Sequence, residues 1–512
     1  MSVIRSFFVV SSSTLGSRIL GFFRDVVMAG LLGTSFMADA FFVAFKVPNL
    51  LRRLFAEGAF NVVFIPLFSS IKEKHGTEKA KQFSNATFTM LFIILVIITI
   101  IAEIFMSGII AIIAPGFIDQ PEKFELTVLL SRITFPYLPF ITFVSFAGGI
   151  SNTFGKFASA AMAPAFLNIS FLSCMLLLPY FGISNAVATA IAVPFGGVLQ
   201  VILMYYTLRK IDFSLGFAWP PIHEKTHTLL KRLGPAALGV GVLQLSTLID
   251  MFLASTLATG SISYLFYADR LNQLPLALIG ITLGTVLLPH LSKALQNGEK
   301  QLAIKTFEQS IKYAFLLGIL CAIGLAFISV EIMQTLFMRG SFDFESAMQS
   351  GLALSAYAIG LPAFIALKIT STIFYAMEDT KTPVKIAALS LLVNLILNLI
   401  LMQYFAHVGL ALATSISAWF GLSLHLYLLR NKMEISLNRS VITTLAKMLA
   451  TGAVLFAYLM LFTSIISLPN TLILQAMWII SIAISSGILA LICCHILNII
   501  SLYELKSIFS KK

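Results

Sequence analysis

Runs of about twenty apolar residues, separated by short polar loops, recur along the whole 512-residue chain and constrain it more than any single motif does. An α-helix of that length crosses the hydrocarbon core of a bilayer, whereas the strands of an outer-membrane barrel alternate in hydropathy over about ten residues. The composition agrees, with 58% hydrophobic and 11% charged residues against roughly 25% charged in a soluble domain. The expected fold class is an all-α polytopic membrane protein. The apolar runs place about fourteen transmembrane helices, near 5–32, 36–70, 84–113, 125–150, 157–180, 184–208, 229–259, 263–294, 306–334, 346–376, 384–404, 407–430, 441–466 and 470–500.

The loops alternate in charge. Lys72, Lys74, Lys79 and Lys81 share one, Arg209, Lys210, Lys225, Lys231 and Arg232 another, and Arg430, Lys432 and Arg439 a later one, while loops such as PGFIDQPEKFE and GSFDFES are neutral or acidic. Basic loops stay cytoplasmic, so both termini are expected there, and the formal charge of +12 orients the chain rather than binding nucleic acid. Ala38-Asp39-Ala40 mimics a signal-peptide cleavage site. Arg24 and Asp25 interrupt the apolar stretch before it and another span follows at once, so no cleavage is expected. Cys174, Cys321, Cys493 and Cys494 lie in apolar runs without ligand spacing and read as packing residues.

One half of the chain repeats the other at a shift near 225 residues. VMAGLLGT from Val27 lines up with FLASTLAT from Phe252, FFVAFKVPNL from Phe41 with LFYADRLNQL from Leu265, and FIPLFSS from Phe64 with LLPHLSK from Leu287. A weaker match sets Pro164 over Pro383. Two six-helix lobes of the same orientation are expected, residues 1–215 and 216–432, followed by an additional helix pair in 433–512.

Several charges lie inside these spans. Arg18 and Asp25 are seven apart and so nearly share a helix face, with Arg24 about 100° round from Asp25. Asp39, Lys46 and Arg53 form a stripe in the second span, with Arg52 and Glu57 beside it and Pro48 freeing a backbone carbonyl that a wet cavity would satisfy. Asp269 and Arg270 stand in the matching place of the second half. A charge at the bilayer centre costs roughly 2.5–3.5 kcal/mol, which argues for a purpose. Two readings fit: internal ion pairs and snorkelling near span ends, or a cationic surplus awaiting an anionic substrate. Arginine's planar fork of donors suits phosphate oxygens.

SRILGFFRD from Ser17, ADAFFVAFKVPNLLRRLFAEGAFNVVFIP from Ala38, APGF from Ala114, YADRLNQLP from Tyr267 and DTKTPVKIA from Asp379 together resemble the MurJ (MviN) lipid II flippases, a family within the exporter superfamily that also holds MATE drug antiporters. The resemblance covers essentially the whole chain. It implies an inner-membrane transporter moving undecaprenyl-pyrophosphate-linked muropeptide to the periplasmic leaflet, with the final helix pair forming a lipid-tail groove and with membrane lipids and other cell-wall synthesis proteins as partners. Carried over by position, Arg24, Arg52 and Arg270 match the family's essential arginines, with Arg18, Asp25, Asp39, Arg53 and Asp269 around them. Some members bind sodium, and Asp250, Asn394, Asn398 and Thr414 fall on those positions; Asn398 replaces a second carboxylate, and Gln273 replaces a glutamate found in some members. No other cofactor is expected.

HEKTH at His223–His227 fits the zinc-protease pattern, but no Glu follows until Glu299 and the motif lies in a basic loop. Gly239-Val240-Gly241 lacks the strand and third glycine of a dinucleotide loop. No P-loop or nucleophile triad is recognisable, so an enzyme is not expected. Competing with the flippase are a cation-coupled exporter of small molecules, working through Asp39 and Asp250, and a non-transporting scaffold whose charges only hold helices together.

Overall fold

A computed structural model describes residues 3–52, 59–219, 226–433 and 439–499, and every long element among them is a helix. The packing divides the chain into two compact units, residues 1–263 with 339–342, and residues 264–338 with 343–512.

The first unit contains α1 (Val3–Leu32), α2 (Phe36–Leu51), α3 (Ala59–Ile104), α4 (Met106–Ile113), α5 (Pro121–Thr134), α6 (Tyr137–Thr153), α7 (Ala158–Leu177), α8 (Asn185–Arg209), α9 (Thr226–Ser255) and the first residues of α10 (Ser261–Pro275). α7 packs on α1 and α8, α2 on α5, and α3 on α6 and α9. With lipid outside, apolar area alone cannot hold such helices together, and polar ties between helices recur. Ser170 donates to the Ala192 carbonyl (2.6 Å), and Gln200 donates to the Ala163 carbonyl (2.8 Å) while accepting from Tyr137 (3.2 Å). A file of phenylalanines joins α3 to α6 and to the segment after α8: Phe146, Phe64, Phe68 and Phe213 stand 4.6, 5.7 and 5.9 Å apart in turn. The segment 215–218 is then tied along α3, Gly216 donating to Asn85 (3.0 Å) and Ala218 to Thr89 (2.8 Å).

The second unit continues α10 and adds α11 (Thr282–Gln296), α12 (Lys300–Phe327), α13 (Ser329–Phe337), α14 (Phe344–Ala376), α15 (Lys381–Met433), α16 (Arg439–Ile465) and α17 (Leu472–Ile496). Leu287, Leu291, Phe307, Leu361, Ile365, Ile369, Phe374 and Leu429 fill a core between α11, α12, α14 and the end of α15. α16 and α17 close over Trp478, whose indole donates to the Ile466 carbonyl (2.9 Å), and Tyr458 donates to Ser485 (2.6 Å). Ile473, Met477, Ile480, Ile484, Ile488 and Leu491 lie three or four residues apart on one exposed face of α17, the apolar face a lipid environment requires.

The two halves of the sequence turn at matching places. Positive-φ residues pair as Gly33 with Gly260, Gly76 with Gly298, Gly155 with Glu378 and Gly182 with Ala406, each pair separated by 222 to 227 residues. The repeat seen in side chains is therefore also a repeat of backbone corners. The two prolines matched above are not equivalent: Pro164 is the seventh residue of α7 and Pro383 the third of α15, so the corners keep register where the prolines do not.

Ten helices among the described residues are long and apolar enough to cross a membrane. Two of them, Val63–Ile104 and Lys381–Met433, bend sharply at Gly76 and Ala406; the first covers parts of two expected spans and the second contains two whole ones, 384–404 and 407–430. α1 and the 16-residue α2, which carry the charges of the first half, lie outside those ten, whereas Asp269 and Arg270 lie within one of them, Ser261–Gln296.

Candidate functional site

Arg24 lies on the buried face of α1, 8% exposed. Its Nε and Nη2 donate to Asp25 Oδ1 (3.0 and 2.6 Å), and its Nη1 donates to Asn168 Oδ1 on α7 (3.0 Å). The guanidinium stands 5.2 Å from the centroid of Phe171, itself edge-on to Phe41 and Phe45. Consecutive helix residues do not ordinarily face one another, but the long arginine side chain folds back to reach its neighbour. A buried cation is thus paired, hydrogen-bonded and set on an aromatic floor, which together offset its desolvation.

Asp39 belongs to a different set of partners. It is 1% exposed near the start of α2 and accepts from Lys123 Nζ (2.9 Å), Gly260 N (2.8 Å), Ser263 N (3.0 Å) and Ser263 Oγ (2.7 Å). It therefore caps the amino end of α10 from another part of the chain. Lys123 is 3% exposed, contacts Thr259 (3.4 Å) and lies 4.1 Å over the Phe117 ring. Of the expected stripe of Asp39, Lys46 and Arg53, Asp39 is turned into protein and Lys46 is half-buried, while Arg53 and the neighbouring Glu57 lie outside the described residues.

The carbonyl that Pro48 releases is that of Ala44, and Thr134 of α5 donates to it (3.1 Å). Protein rather than a wet cavity satisfies it, because a hydroxyl on the neighbouring helix stands within reach.

Arg52 continues the turn after α2, its Nε donating to Asn49 (2.9 Å), and Arg18 is exposed on α1. In the second unit Arg270 lies 5.0 Å over the Phe266 ring, and Gln273 donates to Asp269. An amide can donate to that carboxylate where an ionised glutamate could not, so Gln273 ties to Asp269 instead of repelling it. Asn398 donates to Asn394 (3.1 Å) within the first arm of α15 and Asn394 to Thr414 (3.4 Å) on its second arm, whereas Asp250 lies on α9 in the first unit. No cluster of three His, Cys, Asp or Glu suited to a metal occurs among the described residues, and 223–225 of the HEKTH motif fall outside them. Ala38-Asp39-Ala40 is buried within α2.

Charge inspection alone does not identify Asn168, Lys123, Ser263 or Thr134. Asn168 is the lone amide in an apolar run, a signal worth following; Lys123 hides in a stretch that reads as an acidic loop. As a whole, the first unit holds a cationic group in α1 with a fixed plane and an aromatic backing, an arrangement suited to oxyanions.

A family model described as lipid II flippase MurJ matches residues 28–483. A probable lipid II flippase MurJ of Rhizobium tropici is 40% identical over 423 residues, covering 82% of this chain and 79% of the relative. The lipid II flippase MurJ of Burkholderia cenocepacia is 36% identical over 423 residues, with 82% of each chain covered. Among solved structures, a lipid II flippase MurJ in an inward closed conformation matches with a TM-score of 0.81 at 27% identity, over 96% of this chain and 98% of that one. A MATE-family multidrug resistance transporter of the MOP superfamily reaches 0.68 at 16% identity, over 83% and 98%, which shows a shared fold alone. With a family model spanning most of its length and relatives of this identity matched along most of theirs, the chain belongs to the MurJ lipid II flippase family.

Proposed function

We propose that this lipid II flippase carries the undecaprenyl-pyrophosphate-linked muropeptide from the cytoplasmic to the periplasmic leaflet of the bacterial inner membrane by alternating access. Arg24, Arg52 and Arg270 are the arginines this proposal assigns to the pyrophosphate, and Arg18, Asp25, Arg53 and Asp269 complete the charged set carried over by position. The observation that carries the reading is the buried Arg24, oriented by Asp25 and Asn168 over Phe171. A membrane-embedded guanidinium is costly, and its geometry matches the oxygens of a pyrophosphate. Asp39 leaves the substrate set in this proposal, because its oxygens tie α2 to Lys123 and to the start of α10. The last two helices keep the polyprenyl tail in lipid, both termini are cytoplasmic, and no bond of the substrate is made or broken by the chain.

Asn394, Asn398 and Thr414 form a neutral, mutually hydrogen-bonded set. Sodium bound there would meet no negative charge from these three side chains themselves, and transport compared in sodium and in choline salts measures whether the ion is used.

The test of the main reading is the amount of lipid-linked peptidoglycan precursor exposed on the outer leaflet of flippase-depleted cells. These are complemented with the parent chain or its Arg24→Ala and Arg270→Ala forms at matched membrane levels. The parent should restore exposure and the variants should lower it about a hundredfold, the loss expected when a charge-assisted contact to substrate is removed. Variants that work as well as the parent would take the pyrophosphate role from these arginines and leave them as helix-to-helix ties, while a parent chain that fails to restore exposure would count against the transport reading itself.

A further inference from the structure

Asn168 stands out in α7 as a buried amide, 6% exposed, between two partners of opposite demand. Its Nδ2 donates to the Ser17 carbonyl (3.0 Å) and its Oδ1 accepts from Arg24 Nη1 (3.0 Å). A carbonyl can only accept and a guanidinium can only donate, so the two partners fix which end of the amide faces which. Gly21 permits the approach, since a Cβ at that position would lie 3.3 Å from Asn168 Nδ2.

The consequence for Arg24 is geometrical and electrostatic at once. Asp25 takes Nε and Nη2 while Asn168 takes Nη1, so three of the five donors are held from two helices and the plane of the guanidinium is set. Asp25 already supplies one negative charge beside Arg24. A neutral acceptor at 168 aligns the group without adding a second, which would favour repulsion of an incoming anion.

We infer that Asn168 is a positioning residue for pyrophosphate recognition: it holds the plane of Arg24 from α7 while leaving the charge beside that guanidinium unchanged. The inference rests on the reading of Arg24 as a pyrophosphate ligand.

The experiment measures binding of undecaprenyl pyrophosphate and of neutral undecaprenol to the purified full-length chain in lipid nanodiscs. The variants are Asn168→Leu, Asn168→Asp, Asn168→Ser, Arg24→Ala and the Arg24→Ala/Asn168→Leu double, with thermal unfolding recorded for each. Asn168→Leu should weaken pyrophosphate binding about tenfold, the size of one charge-assisted hydrogen bond, with undecaprenol binding unchanged. Asn168→Asp should weaken it further, and Asn168→Ser, which keeps a small polar group, serves if the leucine form does not fold. Because Asn168 acts through Arg24, the double variant should bind no worse than Arg24→Ala alone. Equal losses for both lipids, or additive losses in the double, overturn the inference and leave Asn168 a packing residue. Loss with Arg24→Ala but parental binding in all Asn168 variants overturns it while the function stands. Parental binding by Arg24→Ala overturns both.

Discussion

Ala44 and Thr134 show how much a single side chain carries in a membrane bundle. Pro48 removes the N–H that would have met the Ala44 carbonyl, and the Thr134 hydroxyl takes its place. Valine has nearly the same shape as threonine but no donor. Thr134→Val should therefore lower stability by about 1–3 kcal/mol, the cost of a buried carbonyl left unmet, whereas Thr134→Ser should stay close to the parent; thermal unfolding in detergent separates the two. At this scale the sequence exposes charges readily, since an arginine or aspartate in an apolar run has few innocent explanations. It hides the partners of those charges. The seven-residue spacing of Asp39, Lys46 and Arg53 places them on one helix face, yet which neighbour that face meets depends on helices 84 and 221 residues away. Asn168 and Thr134 escape notice for the same reason: a polar residue acquires meaning only when its acceptor is known.

Helices and their corners were more legible, because hydropathy sets their length and glycine marks many of their turns. The basic elbow at Gly76 separates two arms that run on as helix either side of it, and the corner at Ala406 does the same in α15 without a glycine. Ala406 is exposed and has φ 47° and ψ −128°, a conformation glycine adopts freely and alanine does not. Ala406→Gly should stabilise the chain by about 1 kcal/mol, backbone relief outweighing the added freedom of the unfolded chain, read as a higher unfolding midpoint. The DTKTP motif explains itself at this scale too. Asp379 caps α15 through Thr382 N (3.0 Å) and Thr382 Oγ1 (2.7 Å), and pairs with Lys432 near the other end of the same bent helix. The Lys432 ammonium, with Thr382, holds the Asp379 carboxyl far below the usual carboxylate range. A depressed pKa stabilises the fold above the ordinary value of about 4 and loses that contribution as pH falls through the depressed one. Asp379→Asn should thus unfold earlier than the parent at pH 7, and the gap should begin to close only below about pH 4.

For the molecule as a whole, the repeat leads one to expect two similar halves, and the paired corners recur at the same period of 222 to 227 residues. It did not foretell that the first compact unit would draw in α9, the start of α10 and residues 339–342, with Ser341 donating to the Gly30 carbonyl (2.8 Å). Those contacts join distant parts of the chain, and periodicity carries no information about them. Asp39 is the most connected of these joints. Lys123→Met should cost about 3–5 kcal/mol by leaving its carboxylate buried without a cation, and adding Asp39→Asn should recover part of that loss in the same unfolding measurement.

The same joint has a consequence for how the protein is made. Asp39 enters the membrane 84 residues ahead of Lys123 and 221 and 224 residues ahead of Gly260 and Ser263. At roughly 5–20 residues per second of synthesis, its carboxylate waits on the order of 10–45 seconds before the amides that cap it emerge. The Gly30 carbonyl at the end of α1 waits longer still, for Ser341. The amino-terminal half is therefore not a finished domain when it leaves the ribosome, since the bonds that cap Asp39 and close the end of α1 form only once residues 260, 263 and 341 have been made.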